Sequence, residues 1–180
     1  MAIRRVLQMG NPVLRERAAE VDLSYLATDE FARLLQDMRD TLADYGGIGL
    51  AAPQIGVSKR IAIIELPGGP SRYGEIEAVP LTVFINPVIE VLDRATSGYW
   101  EGCLSVSGLR GYVERPQHVR VSYHDQQGGA QTLTLEGFPA TVVQHEFDHL
   151  DATLYIDRIK DPSLLVFEAE FERYVVPTLS

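Results

Sequence analysis

The stretch QHEFDH at residues 144–149 constrains this chain more than any other feature, because it places His145 and His149 four residues apart. Residues 138–154 carry apolar side chains at helical spacing, so we predict a helix there. On a helix, side chains at positions i and i+4 lie on one face, with Cβ atoms about 5–6 Å apart. Two imidazoles at this spacing can bind one metal ion, and Glu146 can then act as the general base.

Two surface histidines on an ordinary amphipathic helix are the alternative to a metal site. The apolar neighbours Val142 and Phe147 indicate, however, that the His-Glu-His cluster is partly buried. A buried polar cluster without a partner would be costly. We therefore expect the cluster to bind a metal ion. Catalytic zinc-type sites use three protein ligands and leave one position for water, so a third ligand is needed.

The third ligand has few candidates, because no histidine follows the motif. Glu168 and Glu170 lie in a separate stretch and fit the charged face of a helix. His118 and His124 lie in a predicted strand, and we assign them no role. A lone cysteine such as Cys103 is most often a buried small hydrophobic residue. Its thiolate would nevertheless be a good ligand for zinc or ferrous iron, and the preceding glycine permits close backbone approach.

The rest of the chain predicts separate helices and hairpin-connected strands, which is typical of the α+β class. Thr28 is the expected N-cap of the first helix, and Pro87 marks a break or edge position in the second strand. The predicted elements are helices at 28–45, 138–154 and about 163–174, strands at 60–66, 81–92, 118–125 and 131–137, a glycine-rich loop rather than a strand at 46–56, and a loop at 67–80.

Composition excludes several functional classes. The 180 residues suggest one domain, 1–180, and the net charge of −9 argues against a nucleic-acid-binding surface. No apolar run approaches the roughly 18 residues of a membrane span, and the N-terminus lacks the apolar core of a signal peptide. The single cysteine excludes an intramolecular disulfide.

Three segments together resemble the motifs of the peptide deformylase family. They are GIGLAAPQ at 47–54, EGCLS at 101–105 and HEFDH at 145–149, and the similarity extends over most of residues 3–160. The segment SVSGLRGYVER resembles the subgroup that includes mitochondrial and plastid enzymes and many bacterial relatives. The resemblance implies antiparallel β-sheets packed around a central helix that carries both histidines. It also implies a metal-dependent hydrolase that removes the N-formyl group from N-formylmethionyl nascent peptides and releases formate.

The resemblance assigns the chemistry to particular residues. One divalent metal ion is expected at Cys103, His145 and His149, with Fe²⁺ as the native ion and Zn²⁺, Ni²⁺ or Co²⁺ as substitutes. Glu146 would be the general base. The backbone N–H of Leu104 and the side-chain amide of Gln54 would stabilise the negative charge on the formyl oxygen. In isolation, Gln54 would fit a loop residue that is hydrogen-bonded to backbone.

The resemblance also implies a set of residues near the substrate. For Ile48 and Val142, ordinary core packing is the alternative to a pocket for the methionine side chain. Arg115 is expected to form a structural ion pair, with Asp148 as the candidate partner. The expected substrate-binding residues are Gly47, Ile48, Gly49, Glu101, Arg110 and Val142.

Two other functions compete with this interpretation. A zinc endopeptidase shares the H-E-x-x-H pattern, but it would leave Cys103 and Gln54 unexplained. A metal-binding protein without activity would be expected to have lost Glu146, Gln54 or Cys103, and all three are present. We expect a cytoplasmic monomer that meets nascent chains transiently at the ribosome, without direct nucleic-acid or membrane binding.

Overall fold

Antiparallel strands form most of the fold. A computed structural model describes residues 2–71 and 74–179. Two main helices lie at Asp29–Tyr45 (α1) and Gly137–Leu150 (α2), and a three-residue helix lies at Glu168–Glu170 (α3). The strands are Gly49–Ala51 (β1), Ile61–Leu66 (β2), Gly69–Ser71 (β3), Gly74–Ile76 (β4), Val79–Cys103 (β5), Val106–His124 (β6), Ala130–Glu136 (β7) and Leu165–Phe167 (β8).

The larger sheet runs in the order β1-β2-β5-β6-β7, with β8 paired to β6, and β3 and β4 form a separate two-stranded sheet. The long hairpin of β5 and β6 forms the centre of the larger sheet. At the turn of this hairpin, Cys103 lies opposite Val106. The predicted hairpin between the strands at 118–125 and 131–137 is present as β6 and β7. These elements confirm a mixed fold of helices and antiparallel sheets.

Helix α2 packs against β1, β2 and β6, and its apolar side completes a buried core. Phe84 of β5 is fully buried there, and its ring centroid lies 5.3 Å from that of Phe147. Helix α1 covers a second core through Phe31 and Met38. Because α2 is fixed on the sheet by these contacts, its polar residues are held in a defined orientation.

Helix α1 begins and ends where the sequence predicts. The Thr28 hydroxyl accepts a hydrogen bond from the Phe31 N–H, and Gly46 adopts a left-handed conformation that ends the helix. Tyr45 is 40% exposed because it lies in the last turn, beyond the core. Helix α2 ends at Leu150 rather than at residue 154, and Ala152 has a positive φ of 61°.

Other boundaries were predicted wrongly where tertiary pairing decides them. The glycine-rich loop contains β1, because buried Leu50 pairs with Ile63 of β2. Strand β5 continues to Cys103 instead of ending at residue 92, since β6 pairs with it along that length. The register shift between Ile85 and Val88 does match the break predicted at Pro87. The loop predicted at 67–80 contains β3 and β4.

The C-terminal segment is not the regular helix predicted at 163–174. Leu165–Phe167 forms β8, which pairs with Leu109–Gly111 of β6. The short α3 follows, and Phe171–Val175 forms one turn of π-helix in which Phe171 is fully buried. Backbone pairing with a strand edge has therefore overridden local helix propensity. No described helix is both long and apolar enough to cross a membrane.

Replacing the α1 N-cap tests the fold at its clearest local signal. Thr28→Ala removes the acceptor for the Phe31 N–H and should lower the free energy of unfolding by about 1 kcal/mol. Urea denaturation followed by circular dichroism measures this. Thr28→Ser keeps the hydroxyl and should retain most of the stability, so equal losses in both variants would contradict the capping role.

Candidate metal centre

Helix α2 presents two imidazoles to one point. His145 and His149 lie on the same face of the helix, with ring centroids 5.3 Å apart, and both are buried. Their spacing follows from the helical repeat, since residues four apart are neighbours on the helix surface. The pair therefore has the geometry needed to contribute two nitrogen donors to one metal ion.

The third donor comes from the end of β5. The long hairpin carries Cys103 to α2, where its Sγ lies 3.3 Å from Nε2 of His149. The donor atoms of Cys103, His145 and His149 all lie within 4.8 Å of one another. One thiolate and two imidazoles are a donor set used by zinc and other transition metals, so these residues fit a metal ion.

The charges around Cys103 favour the form that binds metal. Burial raises the pKa of its thiol, but the imidazoles of His149 and His145 outweigh this and hold the pKa well below its usual value. The Ser105 N–H also donates to Sγ, at 3.4 Å. Burial lowers the pKa of His145, but Cys103 and Glu101 together raise it well above its usual value. The raised pKa means that His145 holds a proton beside the thiolate. A bound metal ion would replace that proton between the thiolate and the imidazoles.

A chain of buried charges orients His145. Nδ1 of His145 lies 2.7 Å from Glu101 Oε2, and both Glu101 oxygens accept hydrogen bonds from Arg115, at 2.6 and 3.0 Å. Arg115 also donates to Asp148 Oδ2 at 2.8 Å, so the expected ion pair is present. Arg158 donates to the same Asp148 carboxylate. Because Nδ1 is engaged, Nε2 of His145 is left for the metal.

Glu101 makes contacts that its expected place near the substrate did not suggest. It lines the cavity, as expected of a residue near the substrate, but its carboxylate holds His145 and Arg115. Burial raises the pKa of Glu101, yet the hydrogen bonds from His145 and Arg115 prevail and lower it to about 2. The group thus stays ionised against its two cationic partners.

Glu146 lies buried beside the three donors. Burial raises its pKa to about 7, against the opposing effect of His145 and His149. Its Oε2 atom is buried and has no hydrogen-bond partner among the described residues. On its other side the carboxylate approaches Gly49 so closely that a Cβ atom at that position would lie 2.4 Å from Oε1. A side chain at position 49 would therefore displace the Glu146 carboxylate from this place.

The side-chain amide of Gln54 is directed at Cys103 and Ser105. Its Oε1 accepts a hydrogen bond from the Ala51 N–H at 2.7 Å, which fixes the orientation of the amide. Nε2 then donates to Ser105 Oγ at 3.2 Å and lies 3.6 Å from Cys103 Sγ.

The turn that carries Leu104 is held by Gln8, whose Nε2 donates to the Leu104 carbonyl at 2.9 Å.

These groups open into a cavity of about 710 Å³. Its walls combine the glycine-rich segment, the β3–β4 sheet and the turn after Cys103. All of the residues predicted to lie near substrate line it, as do Gln54, Leu104 and Glu146. The six residues predicted to lie near the substrate are Gly47, Ile48, Gly49, Glu101, Arg110 and Val142.

Sequence reasoning missed several contributors. Tyr155 stacks on His145 with ring centroids 5.9 Å apart and planes at 21°. Glu168 lines the cavity and pairs with Arg110, although its sequence context fitted a solvated helix face. Ser105 and Gln8 hold the turn next to Cys103. Only Ser105, which lies within the EGCLS motif, had a local signal that could have identified it.

Comparison with known proteins gives a consistent result. The family model described as Polypeptide deformylase matches residues 3–164. Among curated relatives, peptide deformylase of Leptospira biflexa is 41% identical over 172 residues, covering 96% of each chain. Peptide deformylase 1 of Nitrosomonas europaea is 48% identical over 159 residues, covering 88% of this chain and 89% of that one.

A solved structure extends the similarity to the fold. The crystal structure of class I type b peptide deformylase from Acinetobacter baumannii with Met-Ala-Ser bound has a TM-score of 0.80 and 34% sequence identity. The match covers 88% of this chain and all of that one. The structural similarity therefore extends over most of the chain.

Replacing Glu101 tests whether the buried charge chain supports metal binding. Glu101→Gln removes the anionic partner of His145 Nδ1, and losing such a partner typically lowers metal affinity about 10- to 100-fold. Competition with a chromogenic chelator measures this, with circular dichroism as a check that the variant is folded.

The control is Glu114→Gln, which removes an exposed carboxylate paired with Lys160. It should leave metal affinity unchanged. Equal affinity in Glu101→Gln and wild type would show that His145 needs no anionic partner.

Proposed function

Because the chain belongs to the peptide deformylase family, whose members remove the N-formyl group from nascent peptides, we propose a residue-by-residue assignment of that reaction to the site described above. Cys103, His145 and His149 bind one divalent metal ion, and the peptide lies in the adjoining cavity. The convergence of these three donors beside the buried Glu146 carboxylate carries the proposal.

The metal ion fits the donors in charge and in type. Fe²⁺ is the proposed native ion, with Zn²⁺, Ni²⁺ or Co²⁺ as substitutes, since a thiolate with two imidazoles suits each of them. When bound, such an ion lowers the pKa of a coordinated water toward neutrality and so provides the nucleophile. A thiolate beside ferrous iron is readily oxidised, which favours the reducing cytoplasm as the working compartment.

Glu146 is the proposed general base. A group that accepts and returns a proton near neutral pH works best when its own pKa is close to that pH. The pKa of about 7 and the unpartnered Oε2 both support this role. Glu146 takes a proton from the attacking water and delivers one to the amine of the departing peptide.

Gln54 and the backbone N–H of Leu104 are the proposed donors to the formyl oxygen as it becomes negatively charged. The bond from the Ala51 N–H to Gln54 Oε1 turns the amide so that Nε2 faces Cys103. Donors fixed in advance need no reorganisation when charge develops, which makes them effective. An amide also stays neutral and does not compete for the metal ion.

The peptide is proposed to bind along β1. This strand lies at the edge of the larger sheet, where an extended peptide can pair as an added strand. Gly49 lets the strand lie directly against the Glu146 carboxylate, and Gly47 lets the preceding backbone lie close to Leu104. Ile48, which is 37% exposed, and Val142 line the cavity and form the proposed pocket for the methionine side chain.

The proposal extends to the whole chain. It is a single catalytic domain, residues 1–180, in which antiparallel sheets pack around α2 as the central helix; the contacts of α2 with β1, β2 and β6 support this arrangement. The protein works as a cytoplasmic monomer on nascent chains at the ribosome. The alternative of a zinc endopeptidase is not favoured, because cysteine takes the place of a third histidine or glutamate.

Formate release from formyl-Met-Ala-Ser tests the proposed reaction. Anaerobically purified protein with about one metal ion per chain should release formate. Glu146→Ala and the isosteric Glu146→Gln should retain the metal but lose activity by about 100-fold or more, because general-base catalysis contributes on that order. Full activity in both variants would exclude Glu146 as the base. Bound metal without formate release from wild type would contradict the function for this substrate.

Gln54→Ala tests the oxyanion donor separately. Loss of one such donor typically lowers kcat about 10²- to 10³-fold, so kcat should fall strongly while KM and metal content change little. Steady-state kinetics with formyl-Met-Ala-Ser gives both constants. Gln127→Ala, in the exposed β6–β7 turn, is the control and should match wild type. A change confined to KM would instead indicate a role in substrate binding alone.

A further inference from the structure

An ion pair lies in the wall of the cavity, and one of its members comes from the C-terminal segment. Arg110 Nε donates to Glu168 Oε1 at 3.0 Å, and Nη2 donates to the same oxygen. Both residues line the cavity that contains Cys103 and Gln54. The charge presented to a bound peptide at this point therefore depends on two residues that are 58 positions apart.

Backbone pairing holds Glu168 in place. Strand β8 pairs with β6 so that Val166 lies opposite Arg110, and Glu168 follows directly after this strand. Beyond it, the fully buried Phe171 anchors the segment. The position of the Glu168 carboxylate beside Arg110 is thus fixed by the paired strand that precedes it and by the buried residue that follows it.

The guanidinium lies close to the reacting region. It packs over Gly102, where a Cβ atom would lie 2.2 Å from Arg110 Nη1. Gly102 directly precedes Cys103, so a peptide whose formyl group lies at Cys103 passes near this pair. The side chains of Arg110 and Glu168 remain 31% and 43% exposed, and a ligand in the cavity can reach both.

We propose that Glu168 is a specificity-determining residue, which by pairing with Arg110 prevents the cavity from selecting formylated peptides with acidic side chains after the methionine. The inference rests on the proposed function. An unpaired guanidinium would bind a carboxylate in a charge-assisted, bidentate manner. The Glu168 carboxylate already occupies the Arg110 guanidinium. An acidic substrate side chain must therefore displace Glu168 and is repelled by its negative charge. A basic side chain instead finds a carboxylate within reach.

The test compares formyl-Met-Xaa-Xaa-amides in which both Xaa residues are Asp, Asn or Lys. The C-terminal amide removes the terminal charge, so only the side chains differ in charge. In Glu168→Gln, the ratio of kcat/KM for the Asp peptide to that for the Lys peptide should rise about three- to fivefold at low ionic strength, as expected for a partly exposed pair. The Asn peptide should be little affected.

Glu170→Gln is the matched control. It removes the same charge from the same short helix, but Glu170 is exposed and is not among the residues that line the cavity. Its ratio should equal that of wild type. An equal shift in both variants would reduce the effect to net charge and overturn the inference. The effect of Glu168→Gln should also shrink in an Arg110→Gln background, where no guanidinium is released; an undiminished effect there would overturn the pairing.

Binding measurements separate this inference from the proposed function. Calorimetry on the metal-loaded protein gives the affinities of the deformylated amides Met-Asp-Asp and Met-Lys-Lys without turnover. A shift in relative affinity in Glu168→Gln, with no formate release by wild type from any peptide, would count against the proposed function and support charge selection. Formate release with unchanged preference in Glu168→Gln would overturn the present inference and leave the proposed function standing.

Discussion

The buried guanidinium of Arg115 joins the two parts of the molecule that form the site. On one side it binds Glu101, on the long hairpin, and on the other Asp148, on α2. The Arg115 side chain is only 2% exposed, and a buried charge is tolerated only when it is paired. Since Glu101 in turn engages His145, the same pairing that satisfies Arg115 also sets the orientation of the imidazole.

The three candidate metal ligands could be located from the sequence because their signals are local. A pair of histidines at helical spacing, a glutamate between them and a cysteine after a glycine each carry a signal within a few letters of sequence. The first helix could be predicted for the same reason, since Thr28 and Gly46 mark its ends. Such features depend on the properties of neighbouring residues rather than on distant partners.

The remainder could not be predicted because it depends on pairing between distant segments. Strand β5 reaches Cys103 only because β6 runs beside it, and no local periodicity marks its last eleven residues, 93–103. The C-terminal segment becomes a strand because an edge of β6 accepts it at Leu109–Gly111. The role of Glu101 was likewise concealed, since its partners Arg115 and His145 come from different elements.

The position of the single cysteine has a practical consequence. Cys103 is the only thiol of the chain, and it lies among the donors of the candidate metal centre. Every alkylating or oxidising reagent specific for thiols therefore acts at that one place, without background from other sites. The extent of thiol labelling is then a direct readout of how much of the centre is protected by metal, and it can be followed by mass spectrometry on intact protein.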